Sequence, residues 1–149
     1  MTVQTFIVNY NYTFMYLHDH FGKSAVVDFW KQMGVEFCVD MRKAMDAKGL
    51  VGLYEYSYGD DGISSREHVQ ANIEFTEDRY VEEITNCPSP NEMGKRNKER
   101  YRHYCEHCYW LYAPCYEENG FSYDVEYDLQ EKDKVSDHCV ITALRREKK

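Results

Sequence analysis

The sequence predicts a single α+β domain in which a four-stranded antiparallel sheet, made of two β-hairpins, carries helices on one face in the order ααββαββ. Three observations predict it. Apolar residues recur at three- and four-residue steps through the first third of the chain. Strict alternation of apolar and polar residues appears in two separate stretches, each continued by a further strand-like run after polar residues. Between these pairs lies an aromatic, cysteine-rich helical pattern. A length of 149 residues fits one domain over 1–149, helical at 1–48 and holding the sheet and the cysteine-bearing helix at 68–144.

The first helix is expected over about residues 4–20, where Phe6, Tyr10, Phe14 and Leu17 fall at helical spacing, and Gly22 reads as its stop. Ser24 reads as the cap of a second helix reaching about residue 48. There Val26, Trp30, Met33, Phe37, Met41 and Met45 make an apolar stripe, while Asp28, Lys31, Glu36, Asp40 and Lys43 face away. Gly49 is expected to close this helix, and Cys38, on or beside the stripe, to be a core thiol. Residues 50–58 read as a transition and 59–62 as a loop. Val69, Ala71, Ile73 and Phe75 alternate with Gln70, Asn72 and Glu74 in a half-buried strand, and residues 76–79 turn the chain into a second strand over about 80–86. A third long helix is expected over about 91–118, with Pro114 kinking or ending it. Phe121, Tyr123, Val125, Tyr127 and Leu129 alternate with polar residues in a third strand. Residues 130–137 read as a turn and 138–144 as the fourth strand.

Eighteen Lys and Arg against 26 Asp and Glu leave a net charge of −8, which disfavours nucleic acid and anionic membrane as partners, because both demand a basic surface. The one basic run, residues 95–102, reads as the solvated first part of the third helix, with a local anion site as the alternative. No signal-peptide pattern and no membrane-length apolar stretch is visible, so a cytoplasmic location with reduced cysteines is the expectation. The 14 tyrosines suit a greasy pocket that orients a polar ligand; a wet aromatic core or an oligomer surface would use them equally.

Six cysteines in a reducing compartment are better read as thiols, metal ligands or catalytic groups than as three bridges. On one helix, Tyr101, Cys105, Cys108, Tyr112 and Cys115 would share a stripe, with His103, His107 and Trp110 beside it. Cys87, followed by Pro88, would approach the same helix from a strand end. The Cys-x-x-Cys at 105 and 108 lies mid-helix in this reading, which weakens a redox role. With Cys87 and a fourth ligand from His103, His107 or Cys115 it could hold zinc or iron, and otherwise it is two inward thiols. His103 and His107 could share a metal or an anion, or lie at the surface. In the last strand Cys139 shares a face with Ile141 and Ala143, opposite His138. No Gly-rich phosphate loop, His-Glu-x-x-His or Gly-x-Ser-x-Gly occurs.

Cys87-Pro88, a helix with spaced cysteines, Gly120 opening a strand and Asp137-His138-Cys139 before a final strand together resemble the L-2-amino-thiazoline-4-carboxylic acid hydrolase-like family. That family looks related in shape to vinyl-reductase-type ligand-binding domains. The resemblance covers about residues 80–144. It implies a small sulfur- or nitrogen-containing ring acid opened by hydrolysis at an amidine-like carbon, with a Cys thiolate as nucleophile and a His as base and acid. Cys87 and Cys108 are the positions it carries over, followed by Cys139. The expectation is therefore a hydrolase with Cys87, Cys108, His107 and His103 as catalytic residues and Cys105, Tyr112, Trp110 and Cys139 around the substrate. Any metal would fall to Cys87, Cys105 and Cys108, although hydrolysis itself requires no cofactor. The alternatives are a non-catalytic domain binding a small molecule or metal, and a homo-oligomer paired through its aromatic helices.

Overall fold

The computed structural model describes residues 3–66, 68–96, 99–127 and 137–147. The chain runs α1 (Val3–Phe21), α2 (Lys23–Phe37), α3 (Val39–Tyr58), α4 (Ile63–Arg66), β1 (Gln70–Phe75), β2 (Arg79–Asn86), α5 (Pro88–Lys95), α6 (Glu106–Glu118), β3 (Phe121–Tyr127) and β4 (Cys139–Arg145). The strands form one antiparallel sheet in the order β1-β2-β4-β3, so the two hairpins meet through β2 and β4 at its centre. Leu129 and most of the expected 130–137 turn lie outside the described residues.

Alternation places every second side chain on the inner face, and the register aligns these residues across the sheet. Phe75, Tyr80, Ala143 and Tyr123 form one row; Ile73, Glu82, Ile141 and Val125 the next; Ala71, Ile84, Cys139 and Tyr127 the third. This face packs against Met41, Met45, Leu50 and Leu53 of α3 and Ala113, Cys115 and Tyr116 of α6. The opposite face exposes Asn72, Glu74, Arg79, Asp124 and Glu126. A second core joins α1 and α2 to the segment before α6 through Phe14, Val26, Trp30, Met93, Tyr101 and Tyr104.

Two of the expected helices are divided. The helix read over 24–48 breaks at Cys38 (φ −86°, ψ 14°), and its N-cap is Gly22 rather than Ser24. One apolar stripe serves two cores here: Val26 and Trp30 pack in the second core, whereas Met41 and Met45 cover the sheet. A bend lets both be buried while preserving the local periodicity, which is why the spacing does not reveal it. Gly49 does not end the second piece. It adopts φ 60° and ψ −139°, a conformation open to glycine, and helix continues to Tyr58 because Leu50 and Leu53 still face the core. Residues 50–58 are thus helix, not transition.

The helix expected over 91–118 is also two, α5 and α6, separated by non-helical backbone and turns. The cause lies 90 residues away: buried Asn11 of α1 donates to the Glu99 carbonyl at 2.6 Å and accepts from the Tyr101 N–H at 2.8 Å. These bonds replace helical ones, and Tyr101 turns into the second core beside Phe14 and Trp30. The basic run is divided accordingly, with Lys95 ending α5. Pro88 opens α5, where its missing N–H costs nothing. Pro114 does not terminate α6, which runs on to Glu118 because Cys115 and Tyr116 are buried.

Candidate functional site

Between the inner face of the sheet and helices α3 and α6 lies a cavity of about 140 Å³. Its wall includes Glu82 and Ile84 of β2, Cys87 and Ser89 at the strand-to-α5 junction, and His107, Cys108, Tyr112 and Tyr116 of α6; Tyr56, Leu53 and Tyr123 contribute further surface. Four of the eight expected site residues, Cys87, His107, Cys108 and Tyr112, therefore line one cavity, which the core thiol Cys38 also borders.

The first turn of α6 is held from three sides. Tyr123 and Tyr127 on β3 donate to the carbonyls of Cys108 and Cys105 at 3.2 and 2.8 Å. His107 packs on Phe14 and Tyr104, with ring centroids 6.1 and 4.9 Å away. Its Nδ1 lies 2.6 Å from the Tyr104 carbonyl, an acceptor only, so Nδ1 carries the hydrogen and Nε2 presents a lone pair. Cys108 Sγ sits 3.6 Å from that Nε2 and donates its S–H to it. A thiol paired with an imidazole acceptor thus stands in the first turn of a helix, where the aligned peptide dipoles favour negative charge. The Cys-x-x-Cys consequently opens α6 instead of lying mid-helix: Cys105 is the N-cap and Cys108 is in the first turn. Cys87 is fixed by its own backbone, whose N–H donates to Asp137 and whose carbonyl accepts from Asn91.

Other expected site residues lie elsewhere. His103 is not in the cavity lining; its Nδ1 lies 2.7 Å from Glu106, itself paired with Lys23 at 2.9 Å. Trp110 packs against the second core under Lys31, whose ammonium is 4.8 Å from the ring centroid. His103 lies in the turn before α6, and Trp110 is on the side of α6 that meets the second core, so neither joins His107 and Tyr112 in the lining. Cys105 and Cys139 do not line the cavity either, although the Cys139 thiol, pushed up mainly by burial, also feels Cys108, Cys87 and Cys105. The four thiols are neighbours, but among the described residues no group of three or more His, Cys, Asp or Glu side chains is placed to hold a metal ion.

Glu82 was not among the residues singled out. It is 8 % exposed, at the centre of the inner face, and accepts hydrogen bonds from Tyr58 at 2.5 Å and Tyr80 at 3.0 Å. Burial raises its carboxyl above the ordinary value, and the two hydroxyls oppose that shift in part. The sequence does carry a signal for it: Tyr80, Glu82 and Ile84 share one parity in an alternating strand, which turns the glutamate inward.

The two remaining cysteines belong to the core. Cys115 contacts Met45 Sδ at 4.0 Å and Cys38 approaches the Leu111 carbonyl at 3.8 Å; none of the six cysteines is in a disulfide. Cys38 and Cys115 are 1 % and 0 % exposed, and burial pushes their thiols up to about 11 and about 12. Both are expected to resist iodoacetamide in native protein and to react after unfolding, as read by peptide mass spectrometry. Because both values are raised above 9.0, their stabilising effect is whole below about pH 9, falls from there, and is gone above about 11 for Cys38 and about 12 for Cys115. Chemical denaturation across that window should show a loss of up to about 1.4 kcal/mol per pH unit for each thiol.

Compared with protein-family models, curated proteins and solved structures, the chain matches none. Among the described residues no helix is long and apolar enough to cross a membrane. Fold and cavity together define an α+β domain with a thiol-bearing internal pocket.

Proposed function

We propose that the protein is a cysteine-dependent hydrolase that opens a small sulfur- or nitrogen-containing ring at an amidine-like carbon. One observation carries this reading: Cys108 Sγ lies 3.6 Å from the Nε2 of His107, whose tautomer is set by the Tyr104 carbonyl, and both residues line the cavity. The short motif resemblance, Cys87-Pro88 through Asp137-His138-Cys139, supports the same chemistry.

In the first step the Cys108 thiol gives its proton to His107 Nε2 and Sγ bonds to the amidine-like carbon. The ring C–S or C–N bond breaks, and the leaving sulfur or nitrogen takes the proton from His107. Water then adds to the enzyme-bound carbon as His107 accepts its proton. Sγ leaves and recovers that proton, so one water is consumed for each ring opened. Cys87 and Tyr112 shape the cavity around the ring.

The test is the rate of Cys108 alkylation as a function of pH in the wild type and in His107→Ala. The variant should slow alkylation at neutral pH about tenfold, because thiolate rather than thiol is the reactive form. An unchanged profile would remove the Cys108–His107 pair as the source of nucleophilicity.

A second reading has the helix-opening Cys-x-x-Cys in its favour, since a helix N-terminus is where that motif supports dithiol exchange. Cys105 lies outside the cavity lining, which is why the hydrolytic reading is preferred. A Cys105–Cys108 disulfide in oxidised protein, detected as the loss of two hydrogens from one peptide, would favour the redox role.

A further inference from the structure

The charge of the cavity wall narrows what it can accept. Glu82 is its central carboxylate, and no lysine or arginine among the described residues lines it. Tyr56, Tyr112, Tyr116 and Tyr123 supply aromatic surface around it. A carboxylate-bearing ligand would meet a buried acid here and no lysine or arginine among the described residues, while the His107 Nε2 already pairs with the Cys108 thiol. A planar cation would meet a carboxylate whose two hydrogen bonds, from Tyr58 and Tyr80, leave lone pairs available, together with tyrosine rings that attract positive charge.

We propose that the cavity selects a small planar cation, an amidinium or guanidinium ring, held by Glu82 and the tyrosines, and that a carboxylate on the ligand weakens binding. The volume limits the ligand to roughly the size of benzene, since an apolar cavity of about 150 Å³ binds benzene itself. This inference rests on the cavity being the ligand site, as in the hydrolase reading, but not on any thiol chemistry, and it departs from the ring acid that the resemblance implies.

Binding is linked to protons through Glu82. The titratable groups around Glu82 include Tyr58 on α3, Tyr80 on β2, Tyr116 on α6, Tyr123 on β3 and Cys139 on β4, which feel its charge, and His107, Cys108 and Cys87, which line the same cavity. Burial favours the protonated acid in the empty cavity, whereas a bound cation favours the carboxylate. Affinity for the cation should therefore rise with pH, by up to about tenfold per unit, until Glu82 is ionised without ligand. Affinity for a neutral ring should not follow that curve.

The experiment is calorimetric titration of Cys108→Ser protein, in which turnover during the titration is suppressed, with three matched rings: 2-aminoimidazolinium, neutral 2-imidazolidinone and 2-imidazolidinone-4-carboxylate. The cation should bind at least about tenfold tighter than either of the others. Adding Glu82→Gln should weaken the cation about thirtyfold while leaving the neutral ring within a few-fold. Should Glu82→Gln fail to fold, the pH series on Cys108→Ser protein that also carries His107→Ala decides, since Glu82 then titrates in the cavity without the imidazole. Cation affinity that is flat above pH 4.5, equal or tighter binding of the neutral or anionic ring, or binding of none of the three would overturn the proposal. The hydrolase reading fails separately, through an unchanged Cys108 alkylation profile in His107→Ala.

Discussion

Cys108→Ser is expected to lower the rate of ring opening by at least about a thousandfold while leaving the fold intact. Serine is nearly isosteric with cysteine, but its hydroxyl is a far weaker nucleophile near neutral pH, even beside an imidazole. The backbone of the first turn does not depend on this side chain: the Cys108 carbonyl accepts from Tyr123, and His107 is oriented by Tyr104 and Phe14. The measurement is release of the opened-ring thiol from a 2-aminothiazoline-type substrate, followed with a thiol reagent and accompanied by thermal unfolding. Cys87→Ser makes the comparison, because Cys87 lines the same cavity from the end of β2 and should cost less. Turnover by Cys108→Ser within a few-fold of the wild type, or a larger loss in Cys87→Ser, would displace Cys108 as nucleophile.

Phe14→Ala should cost about 3–5 kcal/mol of unfolding free energy, the range for truncating a fully buried aromatic ring. Phe14 is 0 % exposed and sits at the middle of the second core. Its ring centroid lies 5.2 Å from Trp30, 5.6 Å from Tyr104, 6.1 Å from His107 and 6.2 Å from Tyr101. Removing it opens a cavity where α1, α2 and the segment leading into α6 meet, and it takes away an aromatic ring beside His107. Urea unfolding should show a lower midpoint, and any folded fraction should show slower Cys108 alkylation. A loss below about 1 kcal/mol would mean that α1 contributes little to the domain.

How much of this could be read from the sequence depends on whether the cause is local. Strand positions were legible because alternation is a property of the extended backbone: Phe121, Tyr123 and Val125 are buried and Asp124 and Glu126 exposed, as their spacing requires. Glu82 obeys the same alternation, yet its residue type hides it; a glutamate at an inward position reads as an exception until Tyr58 and Tyr80 are seen bonded to it. Helical content was legible too, but helix boundaries were not. The break at Cys38 preserves the apolar stripe, and the interruption before α6 is imposed by Asn11, a residue of α1.

The sequence by itself determined the α+β class, the inward face of each strand and the concentration of thiols around Cys87 and Cys108, because these follow from short-range periodicity and composition. Only the tertiary structure decided which of those residues share a cavity. Splitting the long helix set His107 and Cys108 at the start of α6, in the cavity wall, and left His103 and Trp110 outside it. That choice was made by contacts between segments far apart in the chain, Asn11 with Tyr101 and Phe14 with His107, whose energies depend on packing in three dimensions and leave no period in the sequence.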